Sequence, residues 1–148
     1  MPEMPDRSLA FAGQDSCWLP RSRRSPGIAR RLLVVLLGEV EGGHRFLDVG
    51  LLLLSELVTN AVVHGTPRDN LVWLSLEVNE FRLRIDVHDA RGDRSPLLRA
   101  TGQDDESGRG LILVKSLSLR WGCCPRADVG KIVWCECGPS VEVAAAAS

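Results

Sequence analysis

What the sequence lacks narrows it first. It has no excess charge of either sign: 18 Lys and Arg stand against 19 Asp and Glu, for a net charge of -1. That balance speaks against wholesale binding to nucleic acid or to a membrane surface. The only basic cluster, "RSRR" at Arg21–Arg24, reads as a solvated approach to a helix. Long hydrophobic runs are missing too. "LLVVLLG" and "LLLL" fall short of the roughly 20 apolar residues that a membrane helix needs. The opening "MPEMPDRSLAFAGQDSC" lacks the charged and apolar regions of a secretory leader. The five cysteines are odd in number and show no disulfide framework, so a reducing, cytoplasmic home is expected. Cys123-Cys124 and Cys135-x-Cys137 lack the paired knuckles of a zinc site and read as small buried hydrophobes. There is no internal repeat and no sign of a second domain.

What remains is an ordinary globular composition, 45% apolar and 25% charged over 148 residues, enough for one domain with a real core. The segment 1–25 is rich in Pro, Ser and Arg and is expected to be irregular, with room for a short strand around Ser8–Phe11. A helix is expected over 27–40, with Ile28, Leu32, Val35 and Leu36 at helical spacing. "EGGH" breaks it, and a second helix follows over 46–64, stopped by Gly65 and Pro67. "LVWLSLEV" and "FRLRIDVHD" then read as a β-hairpin turning on Asn79-Glu80. After a polar loop over 90–107, "GRGLILVKSLS" opens a third helix. "LRWGCCP" and "KIVWCECG" form a second hairpin. Locally joined strands favour an antiparallel sheet with the helices on one face: an α+β fold, a two-layer α/β sandwich. The expected domain is 26–138, with a flexible tail over 139–148.

Three stretches carry chemistry. In "SELVTNAVVHG", Glu56, Asn60 and His64 recur every four residues and so share one stripe of a helix that is otherwise apolar. Either the stripe is the water-facing side of that helix, or it looks into a crevice where a carboxylate has work to do. In the first hairpin, Phe81, Leu83, Ile85 and Val87 alternate with polar residues and face the core. The next residue of that parity is Asp89. It either begins a turn or points inward, where a buried acid needs a donor. In "ESGRGLILV", Gly108 and Gly110 flank Arg109 at a helix start, where free N–H groups and the helix dipole suit a phosphate.

Taken in order, "ELVTNAVVHG", "DARGD" and "ESGRGLILV" resemble the ATP-binding domain of the histidine-kinase, gyrase and heat-shock-chaperone superfamily, the Bergerat fold. Within it, "SELVTNAVVHG", "ESGRGL", "RWG" and "GKIVW" are similar to the small proteins of the anti-sigma-factor and serine/threonine-kinase branch. The resemblance covers about residues 20–138. It implies ATP and Mg²⁺ as cofactors. It makes Asn60 the residue whose amide oxygen ligates Mg²⁺ and Glu56 the general base. It makes Asp89 the acceptor for the adenine amino group and Gly92 the close approach of backbone to base. Gly108, Arg109 and Gly110 fall on the phosphate side, His64 on a further motif position, and 90–107 on the ATP lid.

Two positions depart from the family pattern. Arg91 stands where the middle motif has its first glycine, and Lys131-Ile132 stand near the start of the last strand, where many relatives carry a threonine, so the resemblance implies that a water-bridged contact to adenine is missing. The expected activity is phosphorylation of a Ser or Thr on a partner regulatory protein of the anti-sigma-antagonist kind. The alternative is a module without catalysis that captures a sigma factor or other regulator. Either allows a homodimer.

Overall fold

The computed structural model describes residues 12–64, 71–89, 112–125 and 130–140. In chain order the elements are β1 (Gly13–Leu19), α1 (Ser25–Gly38), a 3-10 turn (Gly43–Phe46) and α2 (Leu47–His64). They continue with β2 (Val72–Val78), β3 (Leu83–Asp89), β4 (Arg120–Pro125) and β5 (Lys131–Cys137). Residues 112–117, between β3 and β4, are helical. The strands make one antiparallel sheet in the order β1-β2-β3-β5-β4. α1 and α2 pack together and cover it. This is the expected α+β architecture, with β3 at the centre of the sheet.

The core forms between the layers. From the sheet come Leu74, Leu76, Leu83, Ile85, Val87 and Cys135; from the helices come Leu33, Phe46, Leu53, Leu54, Leu57 and Val58. Gly50 lets α2 approach the sheet closely, since a Cβ there would come within 2.8 Å of Leu83 Cδ2. The stretch Gly43–Val63, 21 residues of mean hydropathy 1.8, also has the length and composition of a membrane span. In this fold Leu53, Leu54, Leu57 and Val58 of that stretch are buried in the core, Leu47 and Leu51 are partly buried, and Leu52 is exposed.

Several expectations are corrected. Residues 13–19 are not irregular: they form β1, which pairs with β2 from Gly13↔Val78 to Leu19↔Val72. "GQDS" has little strand propensity, and the paired edge of β2 overrides it. The possible strand at Ser8–Phe11 lies outside the described residues. α1 buries Ala29, Leu33, Leu36 and Leu37, while Val35 is exposed. Positions 32–37 are all apolar, so periodicity alone did not select the buried face.

Phe81 does not continue the alternation of β3 and is exposed. The last ladder pair is Val78↔Leu83, which leaves a four-residue turn, 79–82. Asn79 Oδ1 accepts the N–H groups of Phe81 at 2.7 Å and Arg82 at 3.0 Å. This Asx turn ends the strand before position 81.

Candidate functional site

The site is built where the C-terminal half of α2 crosses the ends of β3 and β5. Asp89 is the last residue of β3 and keeps that strand's inward parity; it is 2% exposed. It is flanked across the ladder by Val72 of β2 and Lys131 of β5. Its carboxylate therefore sits at the end of the central strand, on the face covered by helices. Of the two sequence readings, the inward one holds.

On α2, Leu53, Leu54, Leu57 and Val58 are buried, while Glu56 and Asn60 are half-buried. Asn60 looks into a small cavity, of about 10 Å³, that it shares with Leu57, Ala61, Val87, Asp89, Lys131 and Val133. That is room for about one water. Glu56 lies one turn earlier on the same stripe. The helix thus brings Asn60 over the strand end that carries Asp89, joining two residues 29 positions apart in sequence. Leu57, Ala61, Val87 and Val133 make its walls aliphatic, and its polar groups come from both layers, Asn60 from α2 and Asp89 and Lys131 from the sheet.

The site also contains two cations. Arg21, in the turn between β1 and α1, extends inward with its side chain 3% exposed. Its Nη2 donates to Asp89 Oδ1 and its Nη1 to the carbonyl of Ala61. Lys131 Nζ stands 3.9 Å from Asp89 Oδ2, with its side chain 9% exposed. The buried carboxylate is thus compensated by both guanidinium and ammonium. Arg21 is the residue that the sequence reading missed: the "RSRR" cluster is not wholly solvated. Lys131, noted only as a departure from the family pattern, belongs to the pocket wall.

His64 ends α2, and its side chain lies outside the described residues. So do Gly92, Gly108, Arg109 and Gly110, together with the rest of 90–111.

A wider concavity, about 750 Å³, opens on the opposite face of the sheet. It is lined in part by Arg82, Arg84, Asp86, Arg120 and Glu136. Glu136, 3% exposed, accepts from Arg84 Nη1 and from Arg120 Nε and Nη2, all at 3.0 Å. Burial pushes the Glu136 carboxyl up, but the hydrogen bonds from Arg84 and Arg120 outweigh it and hold the group below the usual carboxylate range. Arg84 also stacks over Trp134, its guanidinium carbon 4.2 Å from the ring centroid. These charges are already paired across the strands, so the concavity reads as a structural ladder and not as the site.

The model of the histidine kinase-like ATPase domain family matches residues 23–134. That is well over half of the chain, and it spans α1, α2 and the hairpins that build the pocket. The chain belongs to the histidine kinase-like ATPase domain family. No curated protein matches it. Membership makes the chain an ATP-binding domain and agrees with the antiparallel sheet under its helices. Arg21 lies two residues before the matched region.

Proposed function

We propose that this chain is a Mg-ATP-dependent regulatory protein kinase of the anti-sigma type, acting on a Ser or Thr of a partner protein. The observation that carries the reading is the buried Asp89, set at the end of the central strand and facing Asn60 across one cavity. A carboxylate there accepts hydrogen bonds only, which suits the amino group of adenine. Lys131 beside it offers a donor to the neighbouring ring nitrogen of the same base edge.

The residues present fit the cofactors that the family implies. Asn60 offers a neutral amide oxygen, a hard ligand suited to Mg²⁺. Bound Mg-ATP supplies the transferable γ-phosphoryl and neutralises charge at the phosphates. In this reading Glu56, one turn before Asn60, holds the attacking hydroxyl and takes its proton. The aliphatic wall of Leu57, Ala61, Val87 and Val133 excludes water from the base. Gly92, Gly108, Arg109 and Gly110 complete this reading as the close approach to the base and the phosphate side of the site. The reading includes a cytoplasmic location and allows a homodimer.

The test is transfer of label from γ-labelled ATP to candidate anti-sigma-antagonist proteins. Glu56→Ala is expected to keep ATP binding within a few-fold and to lose transfer. Loss of binding in that variant would remove Glu56 from its catalytic role. A second reading is a partner-capturing module in which nucleotide is a switch only. It is favoured by the pairing of Asp89 with Arg21, which engages the base-reading carboxylate from within the chain. ATP binding without transfer to any partner supports that second reading.

A further inference from the structure

We propose that Arg21 is an internal competitor for the base pocket: its guanidinium holds Asp89 as a nucleotide base would, and nucleotide affinity is set by exchange of one for the other. The inference rests on the nucleotide reading above and adds the residue that regulates that site.

The chemistry of the acceptors is the first argument. Asp89 Oδ1 and the Ala61 carbonyl take N–H donors only. Arg21 supplies two from its planar fork, Nη2 to the carboxylate and Nη1 to the carbonyl. A purine amino group presents the same kind of donor. Both acceptors belong to residues that line the pocket. With Arg21 bridging them, α2 and β3 are tied together. The cavity that Ala61 and Asp89 line beside this bridge is about 10 Å³, far below the roughly 300 Å³ at which small-molecule pockets begin. Base and guanidinium compete for the same carboxylate.

The pairing is also built to be exchanged. Arg21 Nε is buried without a hydrogen-bond partner among the described residues, so the guanidinium leaves one donor unsatisfied when it is in. That donor regains water when Arg21 swings out. Lys131 Nζ stands 3.9 Å from Asp89 Oδ2, a second cation beside the carboxylate that does not depend on Arg21. The turn itself is held by its backbone: Ser22 N–H donates to Pro20 O at 2.9 Å and Ser25 N–H to Ser22 O at 3.0 Å. Neither of these backbone bonds involves the Arg21 side chain, so the exchange does not break them.

The test is calorimetric titration of the full chain and of Arg21→Ala and Arg21→Gln with Mg-ATP. Inorganic triphosphate serves as a probe that has no base. Arg21→Gln keeps a neutral donor for the Ala61 carbonyl and guards against loss of the fold; melting curves check both variants. Both are expected to bind ATP about tenfold or more tightly than wild type, the size of one charge-assisted hydrogen bond removed from competition. Triphosphate is expected to gain nothing, because loss of a cation cannot favour a polyanion. Equal or weaker ATP binding by a folded Arg21→Gln protein overturns the inference alone. So does an equal gain for triphosphate, which would mean general loosening. Absence of ATP binding in all three proteins at millimolar concentration overturns the nucleotide reading, and the inference with it.

Discussion

Replacing Asp89 with Asn tests whether the carboxylate is a structural partner as well as a ligand for a base. In the fold, Asp89 is 2% exposed, accepts from Arg21 and stands 3.9 Å from Lys131 Nζ. Removing one member of a buried ion pair costs about 3–5 kcal/mol, because the other charge is left uncompensated. Asn keeps one acceptor oxygen for Arg21, and the guanidinium retains the Ala61 carbonyl. The expected loss is therefore about 2–3 kcal/mol. For a domain of this size, that lowers the melting temperature by roughly 5–10 °C. Circular dichroism melts, with urea curves to confirm an unchanged m-value, provide the measurement. A carboxylate held only for a ligand would behave in the opposite way, since neutralising an unpaired buried charge stabilises the fold. An unchanged or raised melting temperature in Asp89→Asn would refute the pairing of Arg21 with Asp89.

Other expectations concern groups away from the pocket. Glu136→Gln should destabilise by about 1 kcal/mol, because its arginine partners are partly solvated and their attraction is screened. The folded carboxyl of Glu136 lies below its ordinary value of 4.5. Its contribution is therefore present above that pH and lost as the pH falls through the folded value. Glu136→Gln should accordingly flatten the acid limb of a stability–pH curve. Burial pushes Cys135 and Cys137 from 9.0 up to about 12. The folded state therefore keeps their protons where the unfolded chain loses them, and stability should fall as the pH rises from 9 toward 12. With a thiol reagent at pH 8, exposed Cys124 should react first, and Cys135 and Cys137 only after unfolding.

The fold was legible where a single period governs a segment. Leu83, Ile85, Val87 and Asp89 alternate strictly; that alternation offered an inward acid as one of two readings, and the burial of Asp89 decides for it. α2 was legible from its length and its stop. What periodicity could not reach depends on contacts distant in sequence. Arg21 and Asp89 are 68 residues apart. Nothing local separates Arg21 from its neighbours Arg23 and Arg24, so all three read as solvated. β1 was hidden because its residues gain strand geometry only by pairing with β2. The turn at Asn79 was misjudged by two residues, because the length of a hairpin loop depends on where the asparagine side chain captures the backbone.

The part of the site on α2 and β3 was readable as types and spacings, and the fold adds that Asn60 and Asp89 share a cavity. Lys131 shows the limit of reading by resemblance. As a departure it suggested a missing contact, whereas in the fold its ammonium lies beside the carboxylate that a base would use.

The most direct test of the account is an ATP titration by calorimetry, with and without Mg²⁺, on wild type and on Asn60→Ala. Wild type is expected to bind ATP more tightly with Mg²⁺ than without it. Asn60→Ala is expected to lose that difference while keeping its binding in the absence of metal. Absence of binding by wild type at millimolar ATP, or an Mg²⁺ effect that survives in Asn60→Ala, would contradict the assignment of this pocket to a metal–nucleotide complex.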